Sequence, residues 1–176
     1  MVSPMYKPRN IYLVGPMGAG KTTVGKKLAT VLKKEFLDSD QILERKTGVT
    51  ISLIFEMEGE EGFRRRERIL LQELTQRQDV VLATGGGAVL DKGSRDRLRN
   101  CGYVVYLNPP FERLVERTMR DRRRPLLRTE DPQRRLQVIV TERDLLYRQV
   151  ADMIISGGHR TPAQVVRGIL KELSRL

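Results

Sequence analysis

Gly15-Pro16-Met17-Gly18-Ala19-Gly20-Lys21-Thr22 is the stretch that decides the fold. An apolar run, Ile11-Tyr12-Leu13-Val14, precedes it and reads as a buried strand. From Thr23 to Lys34 the apolar residues Val24, Leu28, Val31 and Leu32 recur at helical spacing. Strand, glycine loop and helix, with the loop spelled G-x-x-x-x-G-K-T, form the pattern of a phosphate-binding loop. Its glycines let successive backbone N–H groups turn inward, and the helix N-terminus adds its positive end. Gly18, Ala19, Gly20 and Thr23 are the backbone side of such a cradle. Lys21 is placed to reach the β/γ-phosphates, and the Thr22 hydroxyl to ligate Mg²⁺. The loop therefore predicts a nucleoside triphosphate site, and the rest of the chain must supply the second substrate.

Working outward, short apolar strands alternate with helical patterns. The predicted strands are Ile11–Val14, Glu35–Asp38, Val80–Ala83, Tyr103–Leu107 and Met153–Ile155. Such repetition implies a parallel sheet covered by helices on both faces, with ligands gathered above the C-terminal strand ends. Those ends fall at Gly15, Asp38, Gly85, Leu107 and Ser156. Thr50, Asp131 and Thr161 read as helix caps. Gly59 and Gly62 read as bounding a turn before a long helix from Phe63 to about Gln76. Residues 1–9 read as a loose tail, and no linker or internal repeat breaks the chain, so 1–176 is taken as one domain.

The bulk numbers narrow the function class. With 39% hydrophobic residues, 176 residues suffice for one core of ordinary size. No apolar run approaches the ~20 residues of a membrane span, and the first ten residues lack a secretory core. One cysteine, Cys101, excludes a disulfide framework and reads as a packed small residue; one histidine, His159, cannot build a metal cage or a relay. A cytoplasmic setting is expected. The formal charge of +11 fits either nucleic acid or polyanionic substrates. With 5% aromatic content and no basic run interleaved with aromatics, nucleic acid is not expected as the partner.

Four constellations carry chemistry. Asp38 and Asp40 close the second strand, and in extended backbone their side chains share a direction. Asp38 is assigned to the Mg²⁺ side and Asp40 to the acceptor hydroxyl, which it orients or deprotonates. The bland alternative is a cap for the following helix, which Ser39 or Asp40 would also serve. Gly85-Gly86-Gly87 offers N–H groups at a strand end to a small hydroxylated or carboxylated ligand. Arg64, Arg65, Arg66 and Arg68 crowd one helix, and periodicity alone selects none; Arg64 adjoins the apolar face with Glu67 three residues on. Arg120 to Arg128 holds five arginines and reads as a mobile lid, at about 119–131, whose closing arginine neutralises a transferring phosphoryl group. Arg143, on the next helix, is within reach of an anionic substrate.

Together these residues name a family. "LVGPMGAGKTT", "FLDSDQ", "EGEEGFRRRE", "LATGGGAV", "VVYL", "RPLL" and "ERDLLY", in this order, closely resemble shikimate kinase from about Asn10 to the last helix. The resemblance implies a nucleoside-monophosphate-kinase-like α/β/α fold with a five-stranded parallel sheet of order 2-3-1-4-5. It implies phosphorylation of the shikimate 3-hydroxyl by Mg-ATP, on the way to chorismate and aromatic amino acids, by a monomer. Carried over by position, Arg64 and Arg143 hold the shikimate carboxylate and Asp40 its ring hydroxyls. Gly86 and Gly87 give backbone contacts to the same substrate. Lys21 is the loop lysine, Thr22 and Asp38 are the Mg²⁺ positions, and Arg124 is the lid arginine. Arg117 and the loop around Arg160 match adenine-side contacts. Two departures stand out: Leu145 occupies a position where the family commonly has proline, and the lid is unusually rich in arginine. The competing readings are another small-molecule kinase of the same fold, such as a gluconate kinase, and a basic nucleic-acid-associated NTPase.

Overall fold

The computed structural model describes residues 8–121 and 123–176. Residues 1–7, within the expected tail, and Arg122, within the expected lid, lie outside them. Five parallel strands, β1 (Ile11–Val14), β2 (Glu35–Asp38), β3 (Val80–Ala83), β4 (Tyr103–Asn108) and β5 (Met153–Ser156), form one sheet of order β2-β3-β1-β4-β5. The expected order is the observed one. β1 sits in the middle, pairing Ile11 with Val81 on one side and Tyr103 on the other. That position explains its unbroken apolar sequence, because a central strand in a parallel sheet is buried on both faces.

Alternation along β1 divides the core in two. Ile11 and Leu13 join Leu28, Val105, Ile139 and Ile169 on one face. Tyr12 and Val14 join Leu71, Leu74, Leu98 and Tyr147 on the other. The helices are α1 (Lys21–Leu32), α2 (Ser39–Thr47), α3 (Ile51–Leu74), α4 (Lys92–Cys101), α5 (Phe111–Thr118), α6 (Pro132–Val150) and α7 (Pro162–Leu173). Thr50, Asp131 and Thr161 cap α3, α6 and α7 as their sequence positions suggest, Thr161 in a full capping box with Gln164.

Several local readings change. α1 begins two residues earlier than its apolar pattern suggests and ends at Lys33, which takes the left-handed conformation; Val31 faces solvent at 57% exposure. Cys101 is exposed at the end of α4 rather than packed. The expected turn at Gly59–Gly62 is present as a break at Gly59 between two helical halves, although the second half resumes at Glu60 rather than Phe63. Gly59 alone is non-helical, at φ 69°, ψ −177°. Positive φ with extended ψ interrupts the helix, a conformation that glycine tolerates. The two halves of α3 are clamped across this break by Glu58 and Arg66, 2.7 and 2.9 Å apart through two hydrogen bonds. Beyond α5, the arginine-rich stretch turns through a short 3₁₀ segment, Pro125–Leu127, whose Leu127 is buried in the core. α6 runs unbroken from Pro132 to Val150 past Leu145, which is exposed.

Candidate active site

The loop after β1 is closed by the sheet itself. Gly15 takes φ +145°, and a Cβ there would stand 2.6 Å from the carbonyl oxygen of Leu107 on β4. No other residue tolerates both the conformation and the approach. Arg117 on α5 pins the far side of the loop, donating from Nη1 to the Gly18 carbonyl at 2.9 Å. Lys21 is the first residue of α1 and is 9% exposed. Its ammonium donates to the carbonyls of Gly15 and Pro16 at 2.7 and 2.8 Å, leaving one of its three N–H donors uncommitted. Burial, reinforced by Arg124 and opposed by Asp40 and Asp38, lowers its pKa to about 8.

Asp38 and Asp40 part company at the end of β2. Asp38 is the last strand residue and caps α2, accepting the Gln41 N–H at 3.1 Å on Oδ1. The cap is thus Asp38, not Ser39 or Asp40. Its Oδ2 accepts the Thr22 hydroxyl at 2.6 Å. A hydroxyl and a carboxylate oxygen meeting at the mouth of a phosphate loop are hard donors suited to Mg²⁺. Asp40 already lies in the first turn of α2, so the shared direction expected of an extended backbone does not hold. Burial, with the nearby carboxylates of Glu67 and Asp38, raises Asp40 to about 6 against the pull of Lys21 and Arg124.

The triple glycine makes room chiefly for the protein's own side chains. A Cβ on Gly85 would stand 2.6 Å from Glu67 Oε2 and 2.9 Å from Asp40 Oδ1, and one on Gly87 would collide with the Arg64 guanidinium. The Gly85 N–H is spent on Ser39 Oγ at 2.9 Å. Gly86 lies between the two charged sets, with its would-be Cβ 3.6 Å from the Gly15 carbonyl and 3.7 Å from Arg143 Nη1.

Of the four arginines on α3, the fold selects Arg64; Arg65, Arg66 and Arg68 are exposed. Arg64 stacks its guanidinium on Phe63, 5.1 Å from the ring centroid, and donates to Glu67 Oε1 at 2.8 Å. The i+3 partnership with Glu67 is the one the sequence suggested. Arg64 Nε and the buried Glu67 Oε2 have no hydrogen-bond partner. Glu67 was not among the sequence candidates as a site group; its burial depends on contacts with Gly85 that no local pattern reveals. Arg143 is 6% exposed, and among the described residues it forms no ion pair. A buried guanidinium without a carboxylate is costly unless a ligand completes it.

Two cavities meet here. The larger, of about 530 Å³, is lined by Lys21, Thr22, Thr23, Asp38 and Arg117. The smaller, of about 70 Å³, is lined by Phe55, Phe63, Arg64, Glu67, Gly87 and Arg143. They share Met17, Asp40, Ile51, Gly86, Arg124 and Pro125. Arg124 thus stands at the junction, its Nε 3.3 Å from Asp121 Oδ2. A further cleft of about 40 Å³, sharing Gly20, Arg117 and Pro162 with the larger cavity, runs between Arg117, Asn108 and the exposed Arg160, beside Ala19. Met17, Ile51, Phe55 and Pro125 escaped the sequence reading as site residues because apolar residues carry no signature of a pocket wall.

This geometry has close relatives. A chain from Acinetobacter baylyi named shikimate kinase is 54% identical over 162 residues, 92% of this chain and 90% of that one. Another so named, from Dechloromonas aromatica, is 52% identical over 168 residues, 96% of this chain and 92% of that one. The solved shikimate kinase from Acinetobacter baumannii in complex with shikimate superposes with a TM-score of 0.91 at 52% identity, covering 94% of this chain and 92% of that one. The shikimate kinase family model matches residues 17–174. A match of that extent, on a chain whose loop, buried arginines and paired cavities are assembled as described, leaves one assignment: the chain belongs to the shikimate kinase family.

Proposed function

We propose that the protein transfers the γ-phosphoryl group of ATP to the 3-hydroxyl of shikimate, giving shikimate 3-phosphate and ADP for aromatic amino acid biosynthesis. The observation that carries this reading is Arg143, a nearly fully buried guanidinium with no ion-pair partner among the described residues, facing the small cavity that adjoins the phosphate loop. A small anion with hydroxyl groups completes it. Arg143 and Arg64 fork onto the shikimate carboxylate, since a planar guanidinium matches a carboxylate through two parallel hydrogen bonds. Glu67 holds Arg64 by one oxygen. Gly86 and Gly87 present backbone to the ring.

Asp40 lies on the wall shared by the two cavities, between acceptor and nucleotide. With a pKa of about 6 it is ionised at neutral pH and basic enough to orient the attacking hydroxyl and draw its proton. Lys21, still largely protonated near neutrality, places its free N–H against the transferring phosphates. Gly18, Ala19, Gly20 and Thr23 cradle the phosphates, and Arg117 and Arg160 flank the adenine. Thr22 and Asp38 hold Mg²⁺, whose charge neutralises the triphosphate when bound. Among the described residues no group of three or more acidic, histidine or cysteine side chains forms a cage for it. The segment 119–131 acts as the lid, bringing Arg124 onto the transferring group and excluding water so that ATP is not spent on hydrolysis. No helix among the described residues is long and apolar enough to cross a membrane; we place the enzyme in the cytoplasm, as a monomer that uses small-molecule substrates and not nucleic acid.

The test is ADP release from Mg-ATP with shikimate, gluconate or AMP offered in turn. Turnover is expected with shikimate alone. Equal or greater turnover with either of the others would overturn the acceptor assignment.

A further inference from the structure

Tyr147 stands behind the acceptor pocket, on α6 one turn after Arg143, and is 1% exposed. Its hydroxyl donates to the Gly86 carbonyl at 2.6 Å, at the short end of the hydrogen-bond range. Burial pushes the phenol up to about 12 against the pull of the Arg143 guanidinium, which also hydrogen-bonds the hydroxyl, so it remains a donor throughout the working pH range. Its ring is fixed against Tyr106, with centroids 4.9 Å apart and planes tilted by 34°. Gly86 has no side chain by which the loop could be anchored. The carbonyl of Gly86 and the N–H of Gly87 belong to one planar trans peptide unit. A donor that fixes the carbonyl therefore also fixes the N–H on the opposite side of that plane. Gly87 lines the small cavity beside Arg64 and Arg143.

We propose that Tyr147 is a positioning residue for the acceptor: its hydroxyl sets the plane of the Gly86–Gly87 peptide, and with it the backbone against which the shikimate ring rests. One helix thus supplies both the cation for the carboxylate and the donor that aims the facing loop. The inference rests on the shikimate reading of this site.

The experiment compares Tyr147→Phe with Tyr106→Phe. Each removes one hydroxyl from the same aromatic pair and keeps both rings. The Tyr106 hydroxyl donates to Asp144 Oδ1 at 2.8 Å, away from the glycine loop. Leaving the Gly86 carbonyl without its donor raises the KM for shikimate in Tyr147→Phe about tenfold, with the KM for ATP within about twofold of wild type. Tyr106→Phe shows a comparable fall in melting temperature and an unchanged shikimate KM. Incorporating 4-aminophenylalanine at position 147, which restores an N–H donor, returns the shikimate KM towards wild type. An unchanged shikimate KM in Tyr147→Phe overturns the proposal. So does a parallel rise in both KM values, an equal shikimate effect in Tyr106→Phe, or failure of the amino analogue to rescue. Absence of shikimate turnover in the wild type would instead remove the reading of the site on which the inference stands.

Discussion

Lys21 and Arg143 are both buried cations, on opposite sides of Gly86, yet their surroundings differ. Lys21 is held by two backbone carbonyls of its own loop, Thr22 is bonded to Asp38, and Arg117 closes on Gly18. On the other side, Arg143 has no ion-pair partner among the described residues, and Arg64 Nε and Glu67 Oε2 are buried without hydrogen bonds. The nucleotide half is pre-formed by backbone, and the acceptor half is an unfinished set of charges. The difference follows from the ligands. Triphosphate is recognised by N–H groups and a helix end, which any folded loop of this spelling provides. A small carboxylated ring offers few atoms, so its recognition depends on desolvated side chains that only the ligand completes.

The sharpest way to break this contrast is Lys21→Ala. Turnover should fall about 10³-fold, the scale for losing a key electrostatic group in a transition state. Shikimate affinity, measured by calorimetry, should stay within about threefold if the halves are built independently. Loss of shikimate binding in that variant would show them to be one coupled unit.

Asp40→Asn probes the boundary between the halves. Its kcat should fall about 100-fold, the low end for a lost general base, while ATP binding persists. In the wild type, kcat/KM should rise with pH through about 6 as Asp40 ionises, and the variant should lack that limb. The sign for stability is opposite. Because the folded pKa lies above that of the unfolded chain, the protonated carboxyl favours the native state, and that contribution is lost as pH rises through about 6. The variant should therefore melt higher than wild type at pH 8, by about 3 °C or more, and match it near pH 4. A variant less stable at pH 8 would mean that the pull of Lys21 and Arg124 on Asp40 outweighs its burial.

Arg143→Lys should have the smallest effect of the three. A point charge replaces a fork, so the KM for shikimate should rise about tenfold with kcat nearly kept. The melting temperature should hold or fall slightly, because one buried, incompletely paired cation replaces another that is less costly to desolvate. A large loss of stability would show that Arg143 is a structural cation rather than a binding group.

Much of this was legible from the chain because the signals are local. The phosphate loop, the five strands and the caps at Thr50, Asp131 and Thr161 each depend on a few adjacent residues. Where the reading failed, distance was the cause. Gly59 spells a turn and the helix does break there, but local pattern does not show that the second half resumes at Glu60, with Arg66 reaching back to Glu58 across the break. Asp38 and Asp40 look like one extended pair because α2 starts at Ser39, three residues before its first apolar residue, Ile42. Cys101 was read as packed although α4 ends at the surface.

The sequence by itself determined a nucleotide loop on a parallel sheet, through a motif whose spacing is fixed by hydrogen-bond geometry within a few residues, and its resemblance to a known family implied the second substrate. Only the tertiary structure decided that Glu67 and Asp40 share the space left by Gly85 and that Tyr147 holds the Gly86 carbonyl. Those outcomes depend on burial and on partners far along the chain. Desolvation is what turns a charge from surface decoration into a binding group, and it is a property of the packed molecule rather than of any segment.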